Sequence, residues 1–139
     1  MTPLYTAHAI AVAGRNGHAE TSDGLIKLDL SMPKEMGGPG KPNATNPEQL
    51  FALGYAACFG SAVAFVAGQQ KKQIGEVSVT SHVTIGKDDG GFRLAVTLEV
   101  SIGGVQAAET QALIEAAHQV CPYSKATRGN IDVTLKALG

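Results

Sequence analysis

Two cysteines are the residues of this sequence best equipped for covalent chemistry: Cys58 and Cys121, 63 positions apart and in no CxxC arrangement. A thiolate is a nucleophile, a metal ligand and a disulfide partner, so the pair admits three active readings: a redox couple, part of a metal site, or the nucleophile of a Cys-His hydrolase. The bland alternative is two inert core thiols, because free cysteine is among the most often buried residue types. Cys58 stands in Ala-Ala-Cys-Phe, surroundings that raise a thiol's pKa by desolvation unless a buried cation reverses the effect. His118 lies three residues before Cys121 and shares its face on a helix, so with Cys58 the two make an incomplete zinc triad. No positioned fourth ligand accompanies them, and no oxyanion hole can be identified for a hydrolase.

The elements that must hold these residues are legible in the pattern. Leu4 to Val12, His18 to Ser22 and Leu25 to Leu30 alternate as strands, with Asn16-Gly17 as a hairpin signal between the first two. Ser31 to Pro47 carries four prolines and three glycines, which predicts a long irregular loop. Asn46, Pro47 and Glu48 read as N-cap, first helical residue and first-turn acid of an apolar helix running to about Gln73. Its ~26 residues would span ~39 Å. No charge falls between Gln49 and Gln70, a length able to cross a bilayer. Cys58, Ser61, the glutamines and the Ala- and Gly-rich content argue against spanning. A helix apolar all round is buried all round, which in a small domain requires a partner on one side and so predicts a dimer.

Beyond the helix, Val77 to Ile85 and Phe92 to Ile102 alternate around Asp88-Asp89-Gly90-Gly91 as a second hairpin. Ala107 to Val120 has helical spacing and ends at Cys121-Pro122, a short helix follows from Pro122, and Ile131, Val133 and Leu135 form a closing strand. Strands, helix, strands, helix, strand joined by hairpins give an α+β class with largely antiparallel sheets around a long buried apolar helix.

The chain's 139 residues fit one domain, 1–139. With 44% hydrophobic and 17% charged residues it is a globule rather than a disordered or fibrous chain. A net charge of −1 offers no field for nucleic acid. No basic region precedes an apolar one at the N-terminus, so the expectation is an unexported, cytoplasmic protein without a membrane partner, where structural disulfides are rare.

Three strings change the weight of the active readings: Gly-Arg-Asn-Gly-His at 14–18, Thr-Asn-Pro-Glu-Gln-Leu-Phe-Ala-Leu-Gly-Tyr-Ala-Ala-Cys-Phe at 45–59, and Val-Cys-Pro-Tyr-Ser-Lys-Ala-Thr-Arg-Gly-Asn-Ile-Asp-Val at 120–133. Together they resemble the organic hydroperoxide resistance branch of the Ohr/OsmC superfamily, over essentially the whole chain. The resemblance implies an intertwined homodimer and a thiol peroxidase of organic hydroperoxides. It implies that Cys58 is the peroxidatic nucleophile, Cys121 the resolving thiol, Arg15 the active-site arginine and Glu48 its partner carboxylate. It also implies no bound cofactor and re-reduction by an external dithiol such as a lipoylated protein. Taken alone, Arg15 reads as an exposed hairpin arginine and Glu48 as an acid at a helix dipole.

The chemistry suits those assignments. A guanidinium stays charged and forks between acceptors, so Arg15 can hold the Cys58 sulfur as thiolate while Glu48 orients it. Ten residues on one helix separate Glu48 from Cys58 by ~15 Å, which predicts that Glu48 reaches the Arg15 and Cys58 site from the partner subunit. Met32, Met36, Phe51 and Phe59 are candidates for an alkyl-binding pocket, or simply core. The competing functional class is a non-enzymatic module whose thiols sense peroxide or that binds an apolar ligand.

Overall fold

Asn46, Pro47 and Glu48 begin the long helix as their types dictate. In the computed structural model, which describes all 139 residues, the Asn46 side chain accepts the Gln49 N–H at 2.9 Å and Pro47 is the first helical residue. Helix α1 (Pro47–Gln69) ends four residues before the expected Gln73. Lys71 adopts a left-handed conformation (φ 54°), its N–H bonds the Gly68 carbonyl and the Lys72 N–H bonds that of Ala67. That paired closure stops the helix without a glycine, so composition gave no sign of it.

The chain forms two compact units, Met1–Leu50 and Phe51–Gly139. The first holds a four-stranded sheet in the order β1 (Ala9–Val12), β2 (His18–Thr21), β3 (Lys27–Leu30), β4 (Ala44–Thr45). The first three strands are antiparallel and β4 runs parallel to β3. Strand β1 starts at Ala9 rather than Leu4. The β1–β2 connection is wider than the two-residue turn read from Asn16-Gly17: Ala13 and Gly14 take positive φ and Gly14–Asn16 form one turn of 3₁₀ helix. Gly17 is required for a different reason, since a Cβ there would lie 1.7 Å from the Val12 carbonyl oxygen. The expected loop after Ser31 contains only a 3₁₀ turn at Lys34–Met36 and the two residues of β4.

In the second unit β5 (Val77–Asp88) and β6 (Gly91–Ile102) form the expected hairpin, with Val83 opposite Val96. Then α2 (Ala107–Val120) and α3 (Pro122–Thr127) lead to β7 (Val133–Ala137). Strand β7 lies parallel to β6, so the last connection is a crossover through two helices, not a hairpin. Alternation marks a strand and its faces but not its direction; a helical connection of this length permits the parallel return. Alternate residues Val96, Leu98, Val100 and Ile102 of β6 are buried with Leu113, Ile114 and Ala117 of α2. Tyr55, Phe59, Ala62, Val63, Val66 and Ala67 of α1 complete this core, each large side chain contributing about 1.5–3 kcal/mol by burial.

Those α1 residues recur at helical spacing and define one buried face. Its other face stays open in the single chain, with Leu53 70% and Phe65 57% exposed. By length and hydropathy α1 is able to cross a membrane. Its buried stripe and its packing in the sheet-and-helix core make it a core helix.

Candidate active site

Cys58 projects from the middle of α1 and Cys121 occupies the junction of α2 and α3, where Pro122 starts the second helix. This brings residues 63 positions apart to a sulfur–sulfur distance of 3.6 Å, both as free thiols. Cys121 is fully buried and Cys58 half-buried. A disulfide needs about 2.05 Å, so bond formation requires the sulfurs to close by roughly 1.5 Å.

Burial pushes the Cys58 thiol above its ordinary value. The Tyr123 backbone N–H, directed at the sulfur, opposes that shift, and the adjoining Cys121 thiol adds to it. Desolvation thus acts as the Ala-Ala-Cys-Phe string suggested, and activation to a thiolate at neutral pH demands a cation.

His118 does not complete a metal site with the cysteines: no group of three or more His, Cys, Asp or Glu side chains is arranged to hold an ion. Its Nδ1 is buried without a hydrogen-bond partner, and burial followed by the charge of Arg128 lowers its pKa. Phe59 is fully buried core, while Phe51 packs edge-on against both Tyr55 and Tyr123.

Arg15 and Glu48 form the second pair, within the first unit. Arg15 sits in the 3₁₀ turn between β1 and β2, and Glu48 in the first turn of α1. The turn is tied down at its C-terminal end: the Asn16 side chain accepts the Met32 N–H at 2.9 Å, and the Gly17 carbonyl accepts the Leu30 N–H at 2.8 Å. The guanidinium donates to the carboxylate through both terminal nitrogens, Nη1 to Oε2 at 2.8 Å and Nη2 to Oε1 at 2.7 Å. This parallel fork is the strong form of the ion pair. It holds the Glu48 carboxyl below the ordinary glutamate range and raises Arg15 further.

Both partners belong to one chain, which corrects the expectation that Glu48 reaches Arg15 from a partner subunit. The ~15 Å rise between Glu48 and Cys58 on α1 was sound, but Arg15 follows Glu48 at the helix start. The four residues singled out in the sequence therefore fall into two pairs, Arg15 with Glu48 and Cys58 with Cys121.

Sequence reasoning missed a third group. The Tyr55 hydroxyl lies 2.9 Å from Ser124 Oγ and 3.1 Å from Thr127 Oγ1, all three residues being buried. Tyr55 read as one more apolar position of α1. The available signal was spacing: Tyr55 precedes Cys58 by one helical turn, and Ser124 follows Cys121 by the same interval.

A family profile described as OsmC-like protein matches residues 38–136. An organic hydroperoxide resistance protein of Xanthomonas axonopodis pv. citri is 56% identical over 133 residues, covering 95% of this chain and 93% of that one. The organic hydroperoxide resistance protein OhrA of Bacillus subtilis is 52% identical over 136 residues, covering 96% of each. Among solved structures, an organic hydroperoxide resistance protein of Legionella pneumophila superposes with a TM-score of 0.91 at 55% identity and covers 98% of both chains.

Proposed function

The chain belongs to the OsmC-like protein family, and from that premise we propose that it is a thiol peroxidase of organic hydroperoxides, working through Cys58 and Cys121. The names of its relatives support a role in resistance to organic hydroperoxides. The observation that carries the finer reading is the 3.6 Å approach of two free thiols from distant parts of the sequence.

The Cys58 thiolate attacks one peroxide oxygen, the O–O bond breaks, and the departing alkoxide takes a proton to leave as the alcohol. Cys58 is now a sulfenic acid. The Cys121 sulfur attacks it, the S–O bond breaks, and the hydroxide leaves as water with the Cys121 proton. The hydroperoxide has gained the two electrons that the dithiol has lost. Two thiol–disulfide exchanges with an external dithiol, for which lipoyl groups on proteins are the reductant in this reading, restore both cysteines. The protein needs no bound cofactor for these steps.

Arg15 supplies the positive charge that a desolvated Cys58 lacks. Because the same guanidinium is forked onto Glu48 at the start of α1, the Arg15–Glu48 pair of one chain is proposed to meet Cys58 of a second chain. The exposed apolar stripe of α1 around Leu53 and Phe65 supports such a homodimer. Negative charge moves from sulfur to the leaving alkoxide during the reaction, and a fixed guanidinium stabilises it at every stage.

The test is turnover: with cumene hydroperoxide and excess dihydrolipoamide, the wild type should consume many equivalents of peroxide and Cys58→Ser none. Equal consumption by the two proteins would refute the assignment. Disulfide formation without repeated turnover would make the protein a redox-responsive module instead.

A further inference from the structure

We propose that the buried hydroxyls of Tyr55, Ser124 and Thr127 form a positioning clamp that holds Cys121 within reach of Cys58 and so sets the ease with which their disulfide closes. Cys121 is held from the α2 side by its N–H on the Ala117 carbonyl at 2.9 Å, but helix α3 has only six residues and cannot hold its own place, so on that side its anchors decide where Cys121 stands. The Tyr55 hydroxyl is the anchor on the side of α1. One helical turn separates Tyr55 from Cys58, and the same interval separates Cys121 from Ser124. Two side-by-side links therefore join α1 to the start of α3, oxygen to oxygen at 2.9 Å and sulfur to sulfur at 3.6 Å.

The hydroxyl protons close the arrangement. The Thr127 hydroxyl donates to the Ser124 carbonyl at 3.2 Å, which leaves its oxygen to accept from Tyr55 at 3.1 Å. Ser124 Oγ then donates to the Tyr55 oxygen at 2.9 Å. Each hydroxyl donates once, and none is stranded in a site where Tyr55 and Ser124 have no solvent exposure.

The same junction shows a second close approach, independent of these bonds. A Cβ at Gly54 would lie 2.8 Å from the Tyr123 hydroxyl, so α1 presents bare backbone where α3 begins. The Tyr123 N–H that opposes the upward shift of Cys58 sits on that turn. Releasing α3 would move Cys121 and this N–H together. Misplacement of reacting groups by about 1 Å is enough to cost ~100-fold, and here the sulfurs must close by about 1.5 Å.

The inference rests on the Cys58–Cys121 disulfide of the proposed cycle, and its test reads that couple without peroxide. Reduced full-length protein is equilibrated with glutathione buffers: one glutathione disulfide oxidises the dithiol and two glutathione molecules are released. Wild type, Tyr55→Phe and Tyr55→Phe/Ser124→Ala are compared, with thermal stability measured on each. Tyr55→Phe strands the Ser124 hydroxyl and loses stability, whereas the double variant removes the stranded group and recovers it. Both variants should nevertheless form the disulfide at least ~10-fold less favourably, a rise in potential of about 30 mV for a two-electron couple. Wild-type equilibria in both variants, or an equilibrium restored along with stability in the double variant, would overturn the clamp. A wild type that forms no such disulfide would overturn the peroxidase reading and the clamp with it.

Discussion

Removing the Arg15 guanidinium should cost this protein most of its thiolate at neutral pH. An ordinary cysteine with pKa near 8.5 is only ~3% ionised at pH 7, and burial pushes Cys58 above that range. Half-ionisation at pH 7 therefore needs a downward shift of at least ~1.5 units, or about 2 kcal/mol. One cation about 4 Å away in surroundings of effective dielectric ~20 supplies about 4 kcal/mol before any neutralisation by its counter-ion. Glu48 takes part of that charge through two hydrogen bonds, and the shift required of the sulfur, about 2 kcal/mol, is about half of the whole. Arg15→Ala should then slow Cys58 alkylation by iodoacetamide at pH 7 by roughly 15-fold or more, the ratio of half-ionised to ~3% ionised thiol, with reactivity recovering as pH rises past 9. Arg15→Lys, which keeps the charge but not the fork, should fall between the two. The assay uses Cys121→Ser in every protein so that one thiol is read. An Arg15→Ala protein with the parent's rate and pH profile would refute the argument that Arg15 activates Cys58.

The Arg15–Glu48 fork should also be visible in stability. Because it lowers the Glu48 pKa, its stabilisation is fully present above the ordinary glutamate pKa and is lost as pH falls through the lower folded-state value. Urea denaturation should show Glu48→Gln less stable than wild type by about 1–2 kcal/mol at pH 7, a gap that narrows as pH falls below the ordinary glutamate range. Cys121→Ser should consume about one equivalent of cumene hydroperoxide and then stall or overoxidise, as read by intact mass. If the proposed homodimer forms through α1, the wild type should sediment as two chains and Leu53→Glu combined with Phe65→Glu as one, because both residues are exposed on that helix.

Most of the local structure was legible because local rules govern it. Asn46-Pro47-Glu48 specified the helix start through capping and proline geometry, and Val77 to Ile102 specified a hairpin by alternation around Asp-Asp-Gly-Gly. What escaped depends on the backbone's path. The positive φ of Ala13 and Lys71 has no composition signature, so the first turn and the helix end were misplaced. The direction of β7 is a property of the crossover through α2 and α3, not of its own alternating residues. The site divides in the same way. Cysteine chemistry and the three matching strings picked out Arg15, Glu48, Cys58 and Cys121, but the Arg15–Glu48 pairing within one chain required the β1–β2 turn to be built. Tyr55 escaped because an aromatic in an apolar helix reads as core; only Ser124 and Thr127, about seventy residues on, give its hydroxyl a purpose.

The central claim is that Cys58 and Cys121 are a reacting pair, and intact mass with a thiol count tests it most directly. Reduced protein treated with one equivalent of cumene hydroperoxide should lose two hydrogens and both titratable thiols, faster than with hydrogen peroxide, and dihydrolipoamide should restore them. Two thiols left unreacted would return both cysteines to the core and contradict the account.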